Sequence, residues 1–163
     1  MKKRSVTKML SVLLIGAAIC TPVMASASVW DEAGTVVDGS ALTLSDYVED
    51  ESLILTRGNH LGRGSSSLTN KGNRVVGVGG ETTCYVDCDT VICNLYLEQK
   101  NDAGNWYTYD YWNYSTTNDH IRQVSTTKKV AADHWYRVKG SHIAIKNNAI
   151  ESTATATDGI WID

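Results

Sequence analysis

The side chains with chemical potential cluster in the middle of this sequence. Cys84, Cys88 and Cys93 fall within ten residues. Three thiolates could begin a zinc site, but structural zinc takes four ligands, commonly as C-x-x-C pairs or with histidines at matched spacing. His60, His120, His134 and His142 stand at no such spacing to the cysteines, so no metal is expected. One disulfide and one leftover thiol is the expectation instead. If Asp87-Cys88-Asp89-Thr90 is a four-residue hairpin loop, Cys84 lies opposite Cys93; if the chain turns at Val86-Asp87, Cys84 closes a small ring with Cys88. The Cys84–Cys88 pairing is favoured, because Cys93 shares an alternating apolar face with Val91, Leu95 and Leu97 and would pack there as a buried free thiol.

Acids and hydroxyls offer less. Asp87 and Asp89 flank Cys88 without the Gly-centred loop of a calcium site. Glu81 and Glu98 are the glutamates of the strand-rich region, and Glu98 falls on the solvent-facing parity, so both read as surface charges rather than a catalytic pair. The serines of Gly62-Arg63-Gly64-Ser65-Ser66-Ser67 lack the G-x-S-x-G form and the strand-turn-helix setting of a nucleophile elbow. That segment reads as a flexible turn. No nucleophile–base pair emerges, and the chain is expected to be neither an enzyme nor a cofactor carrier.

Aromatic residues are the most suggestive group. Trp106, Tyr107, Tyr109, Tyr111, Trp112 and Tyr114 lie within nine residues. On a strand, alternation puts Tyr107, Tyr109 and Tyr111 on one face and Trp106, Trp112 and Tyr114 on the other. With the tryptophan face in the core, the tyrosines form a ladder facing solvent. Planar rings tipped with hydroxyls suit a sugar or a protein surface, although such ladders also serve cross-strand pairing alone.

The elements that must position these residues are short strands. Runs rich in Val, Ile, Thr, Tyr and Trp are separated by Gly, Asn and Asp clusters, predicting strands near Leu53–Thr56, Arg74–Gly79, Thr82–Val86, Val91–Gln99, Trp106–Tyr114, Ile121–Thr127, Trp135–Ile145 and Ala154–Ile162. No helical period persists. Tyr136 starts a strand just after the corner Val130–Asp133, where its hydroxyl could tuck back onto the corner backbone or simply be buried. The expected fold is all-β: an antiparallel, immunoglobulin-like Greek-key sandwich of about seven strands.

The first residues read differently. Lys2, Lys3, Arg4 and Lys8 precede the apolar stretch Met9–Cys20, then Pro22 and Ala25-Ser26-Ala27. This is the pattern of a secretory signal peptide, residues 1–27, cut after Ala27; twelve apolar residues are too few to span a bilayer. The formal charge of the chain is −3, and losing those four bases leaves eleven against eighteen acids, −7. Nucleic acid is therefore not an expected partner, and no membrane span remains after cleavage. Ser28 to Glu51 has seven acids and no base, predicting an acidic arm over 28–51 ahead of a sandwich domain over 52–163.

Several short segments recur in order: Arg57-Gly58, Gly64-Ser65-Ser66-Ser67-Leu68, Thr82-Thr83-Cys84-Tyr85 with Cys88-Asp89, Leu95-Tyr96-Leu97-Glu98, Gly104-Asn105-Trp106, Tyr136–His142, Glu151-Ser152-Thr153 and Gly159-Ile160. In these the chain resembles, over about residues 50–163, an uncharacterised family of small secreted β-rich proteins of Gram-positive bacteria. The resemblance implies export and a small β domain and carries over no site residue. The expected protein is a secreted, extracellular monomer, a non-catalytic module binding a glycan or cell-surface protein through Tyr107, Tyr109 and Tyr111. A self-associating surface protein and a secreted hydrolase are the alternatives.

Overall fold

The computed structural model describes residues 41–54 and 59–163. The expected signal peptide, the arm as far as Ser40, and residues 55–58 lie outside the described residues. Eight strands follow one another: β1 (Leu42–Thr43), β2 (Tyr47–Leu53), β3 (Leu61–Asn70), β4 (Val75–Lys100), β5 (Trp106–Lys129), β6 (His134–Lys146), β7 (Ala149–Ala156) and β8 (Gly159–Ile162). All belong to one sheet in the order β1-β8-β6-β4-β3-β2, with β5 added to β4 and β7 to β6. Every pairing is antiparallel except β1 with β8, which is parallel, so the sheet is mixed.

The expectation of an all-β chain holds, but the two-sheet Greek-key sandwich gives way to a single sheet curled into a half-barrel. The cause is one bent strand. Thr82 Oγ1 donates to Ile92 O at 2.9 Å, whereas ten residues of straight strand would separate them by about 33 Å. The pairing of β4 with β5 skips from Thr83↔Ile121 to Cys88↔Asp119, and Asn118 in β5 takes a positive φ of 53°. Both long strands therefore fold over at the same place. Apart from Arg74, which belongs to the preceding turn, the predicted strands Arg74–Gly79, Thr82–Val86 and Val91–Gln99 are all parts of β4, with the Asp87-Cys88-Asp89 interruption marking the bend.

Bending makes two layers from one sheet. The first half of β4 pairs β3 and the second half pairs β6, while β5 runs alongside both halves. Between the layers lie Val48, Leu68, Val76, Val78, Cys93, Leu95, Leu97, Val124, Tyr136, Val138, Ile160 and Ile162. The side-chain parity of β4 changes at the bend: even positions Val76 and Val78 point inward before it, and odd positions Val91 to Leu97 after it. Close approach requires glycine here; a Cβ at Gly80 would stand 2.6 Å from Leu95 Cδ2. The segment read as a flexible Gly/Ser turn is instead the internal strand β3, with Ser66 fully buried.

At the open end, the corner before β6 is held as one of the two sequence readings anticipated. Tyr136 Oη donates to Ala131 O at 3.1 Å and accepts from Gln99 Nε2 at 3.1 Å. Glu98 corrects its reading as a surface charge: it is buried and its carboxylate accepts from Arg137 Nε at 2.6 Å. The Trp106 ring packs over that guanidinium, 4.6 Å from ring centroid to Cζ. Burying an acid at a solvent-parity position is tolerable because its partner is buried with it.

Candidate functional site

The bend and the open end gather different chemistry. At the bend, Cys84 and Cys88 share a small apolar cluster with Leu61, Val91 and Ala144. Their thiols are close enough to interact, and Cys88 Sγ also donates to Val86 O at 3.4 Å. Burial, with the neighbouring Cys88 thiol, pushes the Cys84 thiol up to about 12. Cys93 lies in the other cluster, between Leu95 and the layers, and burial likewise pushes it up to about 12. All three stand as buried thiols, and at neutral pH neither Cys84 nor Cys93 offers a thiolate nucleophile. Asp87 and Asp89 turn apart: Asp87 Oδ1 lies 3.2 Å from His120 Nδ1, while Asp89 Oδ2 accepts the Asn147 N–H at 2.8 Å.

Between the layers runs a chain of polar groups that sequence reasoning missed. His142 Nδ1 lies 2.9 Å from Thr82 Oγ1 and Nε2 lies 3.0 Å from Thr155 Oγ1, which is 2.8 Å from Ser66 Oγ. Thr82 gives its hydrogen to Ile92 O and Thr155 gives its hydrogen to Ser66 Oγ, so each ring nitrogen faces a hydroxyl oxygen, and the imidazole donates through the nitrogen that carries its proton. Burial lowers the imidazole pKa to about 4, so the ring is neutral at pH 7. Ser66, Thr82, His142 and Thr155 are all fully buried. The serine and histidine are thus a sealed network joining β3, β4, β6 and β7, without access for a substrate. The glycines at 64 and 140 were the available signal, since each marks a strand position where another group needs the space of a side chain.

At the open end the aromatic stretch is divided. Leu97 pairs Asp110 and Glu98 pairs Thr108, so Tyr109 is an extra residue in β5. Such a bulge shifts alternation by one. Tyr107, Tyr109 and Tyr111 are exposed (45, 37 and 59%), but they do not form one ladder. Tyr107 Oη donates to Gln99 Oε1, and Tyr109 meets Tyr136 edge-on with centroids 5.6 Å apart. Tyr111 stacks on Tyr96, on the opposite face, at 6.4 Å and 24°. The bulge divides the tryptophans too: Trp112 and Tyr114 pack on the core, while Trp106 covers Arg137 and Gly159. Burial, with Tyr109 and Tyr107 nearby, pushes the Tyr136 hydroxyl up to about 12, keeping it a neutral hinge for the pair.

Beside this cluster, on the other face of β6, a second aromatic pair closes the sheet. Trp135 and Trp161 oppose one another across β6 and β8, with centroids 5.3 Å apart and planes at 65°. They border a groove of about 330 Å³ that is also lined by Leu42, Lys100, Asn101, Asp102, Asp133 and His134. The turn across the groove is well defined: Asn105 N–H donates to Asn101 Oδ1 at 2.9 Å, and Gly104 takes a φ of 87°. Asp133 sits at a φ of 61°, its N–H given to Ile162 O at 2.7 Å. Among the described residues no group of three or more His, Cys, Asp or Glu stands together as a metal site.

These features define an all-β protein with a curled, mixed sheet and an aromatic open end. Residues 24–160 match the family of unknown function DUF6147, and the chain belongs to that family. No curated protein and no solved structure matches it.

Proposed function

We propose that this chain is an exported, non-catalytic binding module whose ligand is a surface glycan, engaged at the open end of the half-barrel. The observation that carries the reading is the pair Tyr107 and Tyr109, exposed yet braced by Gln99 and Tyr136. Rings held in place lose little rotamer entropy on binding, and tyrosine combines an apolar face with a polar tip. Tyr111, turned to the other face by the bulge, is outside this contact. Export through a signal peptide at 1–27, and closure of Cys84 with Cys88 once outside, belong to the same proposal.

A glycan array and a bacterial-cell pull-down test it. A ligand captured by the protein and lost in the Tyr107→Ala/Tyr109→Ala variant supports the module; capture that survives the double substitution removes these tyrosines from the ligand contact. A second reading, self-association, rests on β5, whose 24 residues pair only with β4 among the described strands and so leave one edge open. Light scattering with and without reductant decides it, since a monomer under both conditions eliminates that reading.

A further inference from the structure

We infer that the groove walled by Trp135 and Trp161 is a saccharide subsite for a neutral, hydroxyl-rich chain. The inference rests on the reading of the protein as a glycan-binding module and specifies where one sugar unit sits. Three observations carry it.

The first is shape. Trp135 and Trp161 pack edge to face with centroids 5.3 Å apart, so the pair borders the groove as one stepped aromatic surface rather than a flat one. At about 330 Å³ the groove is at the small end of the range for small-molecule sites. Apolar C–H faces of a sugar ring stack on indole, while its hydroxyls turn to the polar rim.

The second is unspent hydrogen-bonding capacity. Most carboxylates of the sheet are already used: Glu81 by Arg63, Thr83 and Gln123, Asp110 by Lys128, Glu151 by three backbone N–H groups, and Asp50 by the Ala156 N–H. The carboxylates of Asp102 and Asp133 line the groove and take no hydrogen bond or ion pair from any described residue. An ionised carboxylate is acceptor-only, and paired sugar hydroxyls are donors that match it. Asn101 and His134 add donors and acceptors on the same rim.

The third is sign. Lys100 is the single cation of the lining, against two carboxylates. Its ammonium lies toward Trp106, 5.7 Å from the ring centroid. A groove with net negative charge on a chain already acidic disfavours sulfated or uronic polymers. It leaves uncharged saccharides as the class that fits both walls and rim.

The test is indole fluorescence of the whole chain titrated with hexasaccharides of β-1,4-glucose, α-1,4-glucose and β-1,4-N-acetylglucosamine, with heparin as the polyanionic comparison. One neutral hexasaccharide is expected to shift the emission saturably and heparin to leave it unchanged. Trp135→Ala should weaken that binding at least tenfold. The Asp102→Asn/Asp133→Asn variant, altered only at exposed turns, should weaken it about threefold to tenfold and stands in should Trp135→Ala not fold. Binding that survives these changes but is lost in Tyr107→Ala/Tyr109→Ala overturns the groove and leaves the module intact. Binding lost at Trp135 but not at the tyrosines keeps the groove and removes the tyrosines. Binding of heparin in preference, or of no member of the panel, overturns the inference.

Discussion

The imidazole of His142 occupies the space that a side chain on Gly64 would need: a Cβ there would overlap ring atoms Cγ and Cδ2. Gly140, two residues before His142 on the same strand, meets the other side of the ring at Nε2 and Cε1. Gly64 is on β3 and His142 on β6, the strands that flank the two halves of β4. The ring is thus the spacer between the two layers of the half-barrel. Its hydrogen bonds to Thr82 and Thr155 fix the spacing chemically as the glycines fix it sterically.

Gly64→Ala should therefore destabilise the fold by about 1–3 kcal/mol, the usual cost of overpacking a closed interior. Urea unfolding would measure it. His142→Ala vacates the ring's volume, so the Gly64→Ala/His142→Ala double variant should lose clearly less than the sum of the singles. Additive losses would show that the contact is not what limits Gly64.

Stability should depend on pH through His142. Burial lowers its folded-state pKa from 6.5 to about 4, so between those values the unfolded chain binds the extra proton. Stability then rises with pH across this window and is lost as pH falls from about 6.5 to about 4, by roughly 3 kcal/mol. The groups facing the ring are Ser66, Thr82, Cys93 and Thr155, none of them charged at these pH values. His142→Gln should flatten the window in thermal melts between pH 4 and pH 7. Glu81 acts lower. Burial alone would raise its pKa, but hydrogen bonds from Gln123, Thr83 and Arg63 hold it at about 2 against 4.5, so its contribution disappears only below about pH 4.5.

Glu151 ties the start of β3 to β7. Its carboxylate accepts the N–H groups of Asn59, His60 and Leu61 at 2.8–2.9 Å. Burial would raise its pKa, and these bonds prevail and lower it. Glu151→Gln keeps the shape but removes the charge from three converging donors. A loss of about 1–3 kcal/mol is expected. Hydrogen exchange should locate it, with faster exchange at Asn59, His60 and Leu61 than in the core.

Oxidation should join Cys84 to Cys88 and spare Cys93. Refolded in oxidised glutathione, with the thiols accessible before the fold closes over them, the pair gives up two hydrogens, forming one S–S bond while the oxidant is reduced to two thiols. In a chain of residues 28–163, which leaves out Cys20, one remaining thiol should then be counted, reactive only after denaturation, because Cys93 is fully buried. Peptide mapping that links Cys93 to either partner, or three free thiols after oxidation, contradicts this pairing.

How much of the site was legible can be followed residue by residue. Alternation along Val91–Glu98 showed which side of β4 faces the core, because apolar burial forces a period of two. The Tyr136 corner was visible from one aromatic after a short turn. The tyrosine ladder was not, since a single extra residue at Tyr109 leaves no mark in composition yet reverses every side chain beyond it. Glu98 looked solvated because parity reports the face of a strand and not what packs on it. β3 looked like a turn because it is rich in glycine and serine; Gly64 is small for the sake of His142, a neighbour 78 residues further along the chain, and Gly62 for the sake of Tyr85.

Local chemistry in the sequence was sufficient for the class: β-branched and aromatic runs, turn residues between them, and no helical period can only build sheet. Where those strands lie relative to one another is a long-range matter. The bend at Cys84–Cys88, the spacer at His142 and the pairing of Trp135 with Trp161 each depend on contacts between residues distant in the chain or on an unpaired residue within a ladder. Such contacts are selected by the packing free energy of the whole fold. No window of neighbouring residues contains it, and only the tertiary structure decides it.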